Sequence, residues 1–272
     1  MLALASLIAL AGPSAAAPPG PCSMVDDGIR SEFRYDGDNL VAETSLDAEG
    51  QLLWSVRYAY EADRLVQIAT TGHDGASLSS TRYVYDDDGR VVQEISTEQD
   101  TPPMSVVYRY DDEGRVLSAA LDEDSDGTID VATAFSYNPD GRLMRELSAA
   151  TPTEPAAEVR YGYDGEGQLL ARVFDSGLDG ADETIIYTYD GSGRLIEEAA
   201  TDGQGSPVVT LTFRYDDAGN LIEETEDQGA DGTPERTSRY RYDLAGNLTD
   251  AEDQLGSDEP LRATYDYACF AS

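Results

Sequence analysis

Lysine is absent from all 272 residues, histidine and tryptophan occur once each, as His73 and Trp54, and cysteine occurs twice. Each shortage closes a class of function. The 18 basic residues are all arginine and face 54 acidic ones, a net charge of -36. Such a surface repels phosphate backbones and anionic lipid heads, which excludes nucleic acid as a partner. One histidine and two widely separated cysteines cannot build a His/Cys metal cluster. No nucleophile motif or phosphate-binding loop takes their place, so a non-enzyme is expected. Paired carboxylates such as Glu197-Glu198 and Glu223-Glu224 recur too often in so acidic a chain to single out an acid-base pair.

Long apolar runs are equally scarce. The one apolar stretch, Leu2 to Ala11, is followed by Gly12-Pro13 and the small residues Ser14-Ala15-Ala16-Ala17, the order of an export signal too short for a membrane span. The expected organisation is a signal peptide over 1-17, a Pro-rich spacer over 18-30 that holds Cys22, and one β-domain over 31-272. The mature chain would then have no transmembrane segment and would be secreted or held at the cell surface. In that oxidising setting Cys22 and Cys269 can form a disulfide joining the first and last strands, a link worth about 4 to 5 kcal/mol in the chain-entropy model. Two free thiols, or a lipid on Cys22, are the competing readings.

What is abundant is tyrosine, and its placement is regular. An aromatic-x-aromatic unit followed by an acidic turn occurs at Phe33/Tyr35, Tyr58/Tyr60, Tyr83/Tyr85, Tyr108/Tyr110, Phe135/Tyr137, Tyr161/Tyr163, Tyr187/Tyr189, Phe213/Tyr215, Tyr240/Tyr242 and Tyr265/Tyr267. Successive second aromatics lie 25, 25, 25, 27, 26, 26, 26, 27 and 25 residues apart, and all 17 tyrosines belong to the pattern. Aromatics two residues apart share a strand face. In Tyr215-Asp216-Asp217-Ala218-Gly219-Asn220-Leu221, Asp and Gly suit a type I turn closed by a left-handed residue. That register sets Asp216 opposite Asn220 and Tyr215 opposite Leu221, and it places every post-turn Leu or Val on the tyrosine face. The turns after Tyr35 and Tyr60 are one residue shorter and should be tighter. The next apolar position (Val41, Leu117, Met144, Leu170) faces the other way, implying that the second face is partly covered.

The motif Tyr-Asp-x-x-Gly-Arg-Leu, nearly intact at Tyr85 to Val91 and Tyr189 to Leu195 and with Asn for Arg at Tyr242 to Leu248, resembles the YD repeat of the RHS family. That family includes bacterial polymorphic toxins, toxin-complex shells and the teneurin ectodomain. The resemblance implies an all-β fold, a long antiparallel sheet of consecutive hairpins that is curled or spiral, with roughly 19 or 20 strands. It implies a surface habit too. The chain has few repeats for a shell, and no Asp-Pro-x-Gly-Leu segment of the shell-closing kind is found.

The loops between units supply the remaining candidates. Asp122, Asp124, Asp126 and Asp130 stand at positions one, three, five and nine of a segment with Gly127 at six. This resembles the first half of a calcium loop, without the bidentate Glu at its end, where Thr133 stands. A solvated Asp/Gly turn explains the same residues, and fainter echoes run over Asp175 to Asp182 and Asp227 to Gly232. No cofactor is required, and calcium is the one the sequence offers a place for. The leading expectation is an exported, non-enzymatic structural or interaction protein whose partner is an extracellular protein or polysaccharide. A calcium- or carbohydrate-binding module is the alternative, and a relic of a toxin-encapsulating shell the weaker one.

Overall fold

A computed structural model describes residues 20–150 and 157–267; the segments read as signal peptide and Cys269 lie outside them. The described chain is twenty antiparallel strands and no helix, from β1 (Ser23–Asp26) and β2 (Ile29–Asp36) to β19 (Leu248–Leu255) and β20 (Leu261–Asp266). Each strand pairs with its sequence neighbours, and β1 pairs with both β2 and β20. The sheet is therefore a closed ring. A curled or spiral sheet was expected, with closure left open; Met24 sits opposite both Ser31 and Tyr265, so Ser23–Asp26, within the segment read as spacer, closes the curl into a ring and leaves no free edge among the described strands.

The units fold as their chemistry dictates. In the unit of β16 (Pro207–Tyr215) and β17 (Leu221–Gln228), Tyr215 pairs with Leu221. The Asp216 N–H donates to Asn220 O at 2.9 Å, and Gly219 takes φ 93°. The register skips one residue beside the turn in every such unit, a β-bulge that increases local twist. The two short units form two-residue turns as expected, with positive φ at Gly37 in one and at Ala62 and Asp63 in the other. All the YD turns lie at one rim. The variable loops lie at the other.

Laterally, Arg34 pairs with Ala42 and Ala42 with Arg57, two residues short of Ala59, the equivalent of Arg34 one unit on. That step is the stagger a tilted barrel needs. With the right-handed coil of barrel strands, this geometry puts the tyrosines on the inner wall. Crowding agrees: Ser31, Ser45, Thr133 and Phe135 are buried on that face, whereas Arg57, Ala59, Val84 and Ile186 are exposed on the other. The expected cover of the second face is missing among the described residues, where Leu117, Met144 and Leu170 are exposed and no second layer packs.

Twenty strands about 4.8 Å apart and tilted about 40° make a wall roughly 40 Å across. Each strand touches only its two neighbours in the ring. Among the described residues the buried apolar side chains are Val116, Phe135 and Ala200. The accessible surface of 17094 Å² exceeds the roughly 11,500 Å² of a compact monomer of this mass. Among the described residues nothing packs inside the barrel, and its stability resides in the wall.

Candidate functional site

The inner wall contains the feature that the sequence disclosed least directly. The second tyrosine of a unit lies across the wall and its hydroxyl donates to the post-turn carbonyl of the preceding unit. Tyr60 reaches Leu40 O at 3.0 Å, Tyr85 reaches Leu65 O at 2.6 Å, Tyr110 reaches Val91 O at 2.6 Å, and Tyr137 reaches Val116 O at 2.8 Å. Tyr163, Tyr189, Tyr215 and Tyr242 repeat the contact on Leu143, Leu169, Leu195 and Leu221, and Tyr35 makes it to Pro21 O at 3.2 Å. Each bond contributes about 1 kcal/mol and ties a hairpin to the one before. A signal was available: Phe replaces the first aromatic at Phe33, Phe135 and Phe213, but the second is Tyr in all ten units. The hydroxyl, and not only the ring, is needed there.

The YD rim adds a second link. Arg90 Nε donates to Asp86 Oδ2 at 2.8 Å while its guanidinium lies 5.0 Å from the Tyr110 ring centroid. Arg115 and Arg194 repeat both contacts, on Asp111 with Tyr137 and on Asp190 with Tyr215. One arginine thus bridges its own turn and the next unit. The Arg90 backbone N–H, foremost, and then its side chain hold the Asp86 carboxyl below its ordinary value. Where Asn stands instead of Arg, Asn220 Nδ2 donates to Asp216 Oδ2 at 2.9 Å.

Below the rim, carboxylates face the first aromatics: Glu43 opposite Phe33, Glu94 opposite Tyr83, Glu146 opposite Phe135, Glu198 opposite Tyr187 and Glu224 opposite Phe213. Burial pushes Glu94 up, and burial followed by Glu224 pushes Glu198 up. Tyr108 is pushed up to about 12, mainly by burial and then by Glu94. Tyr161 Oη donates to Glu146 Oε1 at 2.5 Å. The aromatic ladder is therefore engaged with the wall and is not an exposed platform for sugar rings.

At the opposite rim the loop between β9 (Val116–Asp122) and β10 (Val131–Tyr137) gathers three of the four expected aspartates. Carboxylate oxygens of Asp122, Asp124 and Asp130 lie within 4.8 Å of one another. Asp126 is not among them, contrary to the spacing argument. Its Oδ1 accepts the Thr128 N–H at 2.7 Å, which lowers its pKa. Asp122, 7 % exposed, accepts the N–H groups of Asp126 and Gly127, and Asp130 accepts that of Glu123 at 2.7 Å.

The two fainter echoes share this frame. Asp175 accepts the Asp179 N–H and Asp182 that of Ser176; Asp227 accepts those of Asp231 and Gly232, and Glu235 that of Gln228. Glu235 closes its loop as Asp130 does, and stands as far after Asp227 as Asp130 stands after Asp122. The three loops recur every four strands, and their acids serve first as staples for backbone N–H groups. His73 lies exposed in the hairpin between β5 (Arg64–Gly72) and β6 (Ser77–Tyr85), and Trp54 lies on the inner wall opposite Ser45 and Gly72.

These contacts are the physical content of a repeat that comparison recognises. The teneurin YD-shell family model matches residues 26–206, about two thirds of the chain, and the RHS repeat model matches residues 189–234. The chain belongs to the teneurin YD-shell family. A comparison with curated proteins finds no match. Among solved structures, this YD-shell chain is similar to TcdB2-TccC3-TEV at 14% identity and TM-score 0.41, over 87% of this chain and 14% of that one. The Photorhabdus luminescens Tc holotoxin pore, with TccC3 carrying D651A, matches at 14% identity and TM-score 0.38, over 88% and 16%. A porin-like protein from Bacteroides uniformis matches at 13% identity and TM-score 0.42, over 77% and 93%. The YD-shell chain thus spans about a seventh of the first toxin-complex chain it matches.

Proposed function

We propose that this YD-shell protein is an exported, non-enzymatic scaffold that acts at or outside the cell surface as a structural or interaction protein. The observation that carries the reading is the closed wall whose consecutive units are cross-tied by tyrosine hydroxyls. The regular residues are consumed in building it. A cavity on the outer wall between β18 (Arg236–Tyr242) and β20 holds about 160 Å³, below the roughly 300 Å³ of ordinary ligand pockets. A Cys22–Cys269 disulfide belongs to the same proposal: the Cys22 N–H donates to Asp266 O at 2.6 Å, three residues before Cys269, and a bond there would lock the seam.

The test is purified protein assayed on polysaccharide and peptide panels with cell fractionation alongside. The expected result is extracellular or surface protein with no turnover. Hydrolysis that a single substitution abolishes would overturn the non-enzymatic reading. A second reading, calcium at Asp122, Asp124 and Asp130, is favoured by their convergence. Calorimetric titration and melting with and without chelator decide it, and the absence of both heat and shift removes it.

A further inference from the structure

The outer wall segregates charge in a way the net charge of -36 hides. From β3 (Asn39–Leu46) to β8 (Met104–Tyr110) the outward positions between the rim turns carry no carboxylate at all. They are small or neutral residues such as Ala42, Ala59, Gln67, Ala69 and Ser80, interrupted by exposed arginines. Four consecutive units contribute one each: Arg34, Arg57, Arg82 and Arg109. All four are exposed, and none has an ion-pair partner among the described residues. Elsewhere on this face most arginines are neutralised: Arg214 and Arg239 by Glu223, Arg262 by Glu252, Arg145 and Arg160 by Glu158, with Arg241 exposed and outside any ion pair among the described residues.

The four lie on an arc around the barrel. Arg34 and Arg109 occupy the position between the two aromatics, and Arg57 and Arg82 stand two residues lower. Successive members are two strands apart; the register sets Arg57 level with Arg34, Arg82 two residues off the level of Arg57 and Arg109 four residues off the level of Arg82, so the gaps are about 10, 12 and 16 Å. Arg57 and Arg82 stand four residues, about 13 Å, before their turns and beyond the Debye length of about 8 Å at physiological ionic strength, whereas Arg34 and Arg109 stand two residues, about 7 Å, before Asp36 and Asp111. Desolvated aromatic anchors, which dominate protein interfaces, are missing, because the aromatic pairs face inward. Unpaired guanidinium forks with no carboxylate between them, on a surface of neutral residues, suit an extended polyanion that presents carboxylates along its length.

We infer that the Arg34–Arg57–Arg82–Arg109 arc on the outer wall is a binding track for an acidic, carboxylate-bearing polysaccharide. The inference rests on the interaction-protein reading and names its partner. The test uses the full exported chain with hyaluronan as probe and neutral dextran as control, at about 20 mM and about 150 mM salt. Wild type is expected to retain hyaluronan over dextran, more strongly at low salt, and R57Q/R82Q/R109Q to lose about tenfold or more in affinity. R262Q is expected to bind as wild type, and R57K/R82K/R109K to keep part of the affinity, which separates loss of charge from loss of fold. No preference for hyaluronan in wild type, unchanged binding by the Gln variant, or tighter binding of poly-glutamate than of hyaluronan overturns the track. Its loss would leave the scaffold standing. Breakdown of the bound glycan would instead overturn the non-enzymatic reading and leave the track in place.

Discussion

The two rims of the barrel are built from similar turn chemistry and are held to different standards. At the YD rim the same Asp, Gly and Arg or Asn recur, and the turns are joined to one another by arginine and tyrosine. At the other rim the Asp202 turn reproduces the hydrogen bonds of a YD turn, with Gly205 N–H to Asp202 O at 2.9 Å, yet neighbouring loops differ in length and sequence. One rim carries bonds between units, so its variation is coupled. The other closes its hairpins mainly within themselves, with ties such as Gly256 N–H to Glu235 O at 2.6 Å few and unrepeated, so its loops are freer to change.

The sharpest way to break this contrast is Tyr110→Ala, which deletes a ring under Arg90 and the bond to Val91 O; a loss of about 3 kcal/mol is expected in denaturant unfolding. Gly219→Ala comes next. Its φ of 93° is left-handed and an added Cβ meets nothing within 4 Å, so backbone strain alone should cost about 1 to 2 kcal/mol. Tyr110→Phe keeps the ring and removes one hydroxyl bond, for about 1 kcal/mol. If Tyr110→Phe proves neutral, the cross-tie is not what holds the units together.

The pH dependence distinguishes rim from wall. Turn carboxyls such as Asp86, Asp190 and Asp216 have depressed folded pKa values. Their contribution is present above the unfolded value near 4 and lost as pH falls through the folded value. Glu94 and Glu198 are raised; their contribution is present below the unfolded value and lost as pH rises through the folded one. Glu94→Gln should therefore melt about 1 to 2 °C higher than wild type at pH 8, with the difference vanishing below pH about 4. The smallest effect is expected at the free rim. Replacing residues 122–130 by a five-residue turn copied from Asp111 to Arg115 should change stability by no more than about 0.5 kcal/mol.

Much of the wall was readable because local chemistry decides it. The bulged turn, the pairing of Tyr215 with Leu221 and the shorter turns at Gly37 and Ala62 follow from which residues tolerate positive φ and from side-chain alternation. Closure was not readable, because it depends on Ser23–Asp26 meeting β20 across the whole chain, and no local pattern encodes that meeting. Asp126 misled for a related reason. Ligand spacing in sequence says nothing of which carboxylate the backbone claims first, and Thr128 N–H claims this one. The arginine arc escaped notice because whole-chain net charge averages over two walls.

The tyrosine cross-tie has a direction. Each hydroxyl reaches backward to a carbonyl already laid down, so a chain emerging amino end first finds every acceptor in place before its donor arrives. Growth of the wall is then vectorial, unit upon unit, with the four-residue strand Ser23–Asp26 waiting until β20 returns to it. The seam should be the last joint made and the first to breathe. Amide exchange at Met24 and Val25 faster than at Val106 and Val107 would record that order.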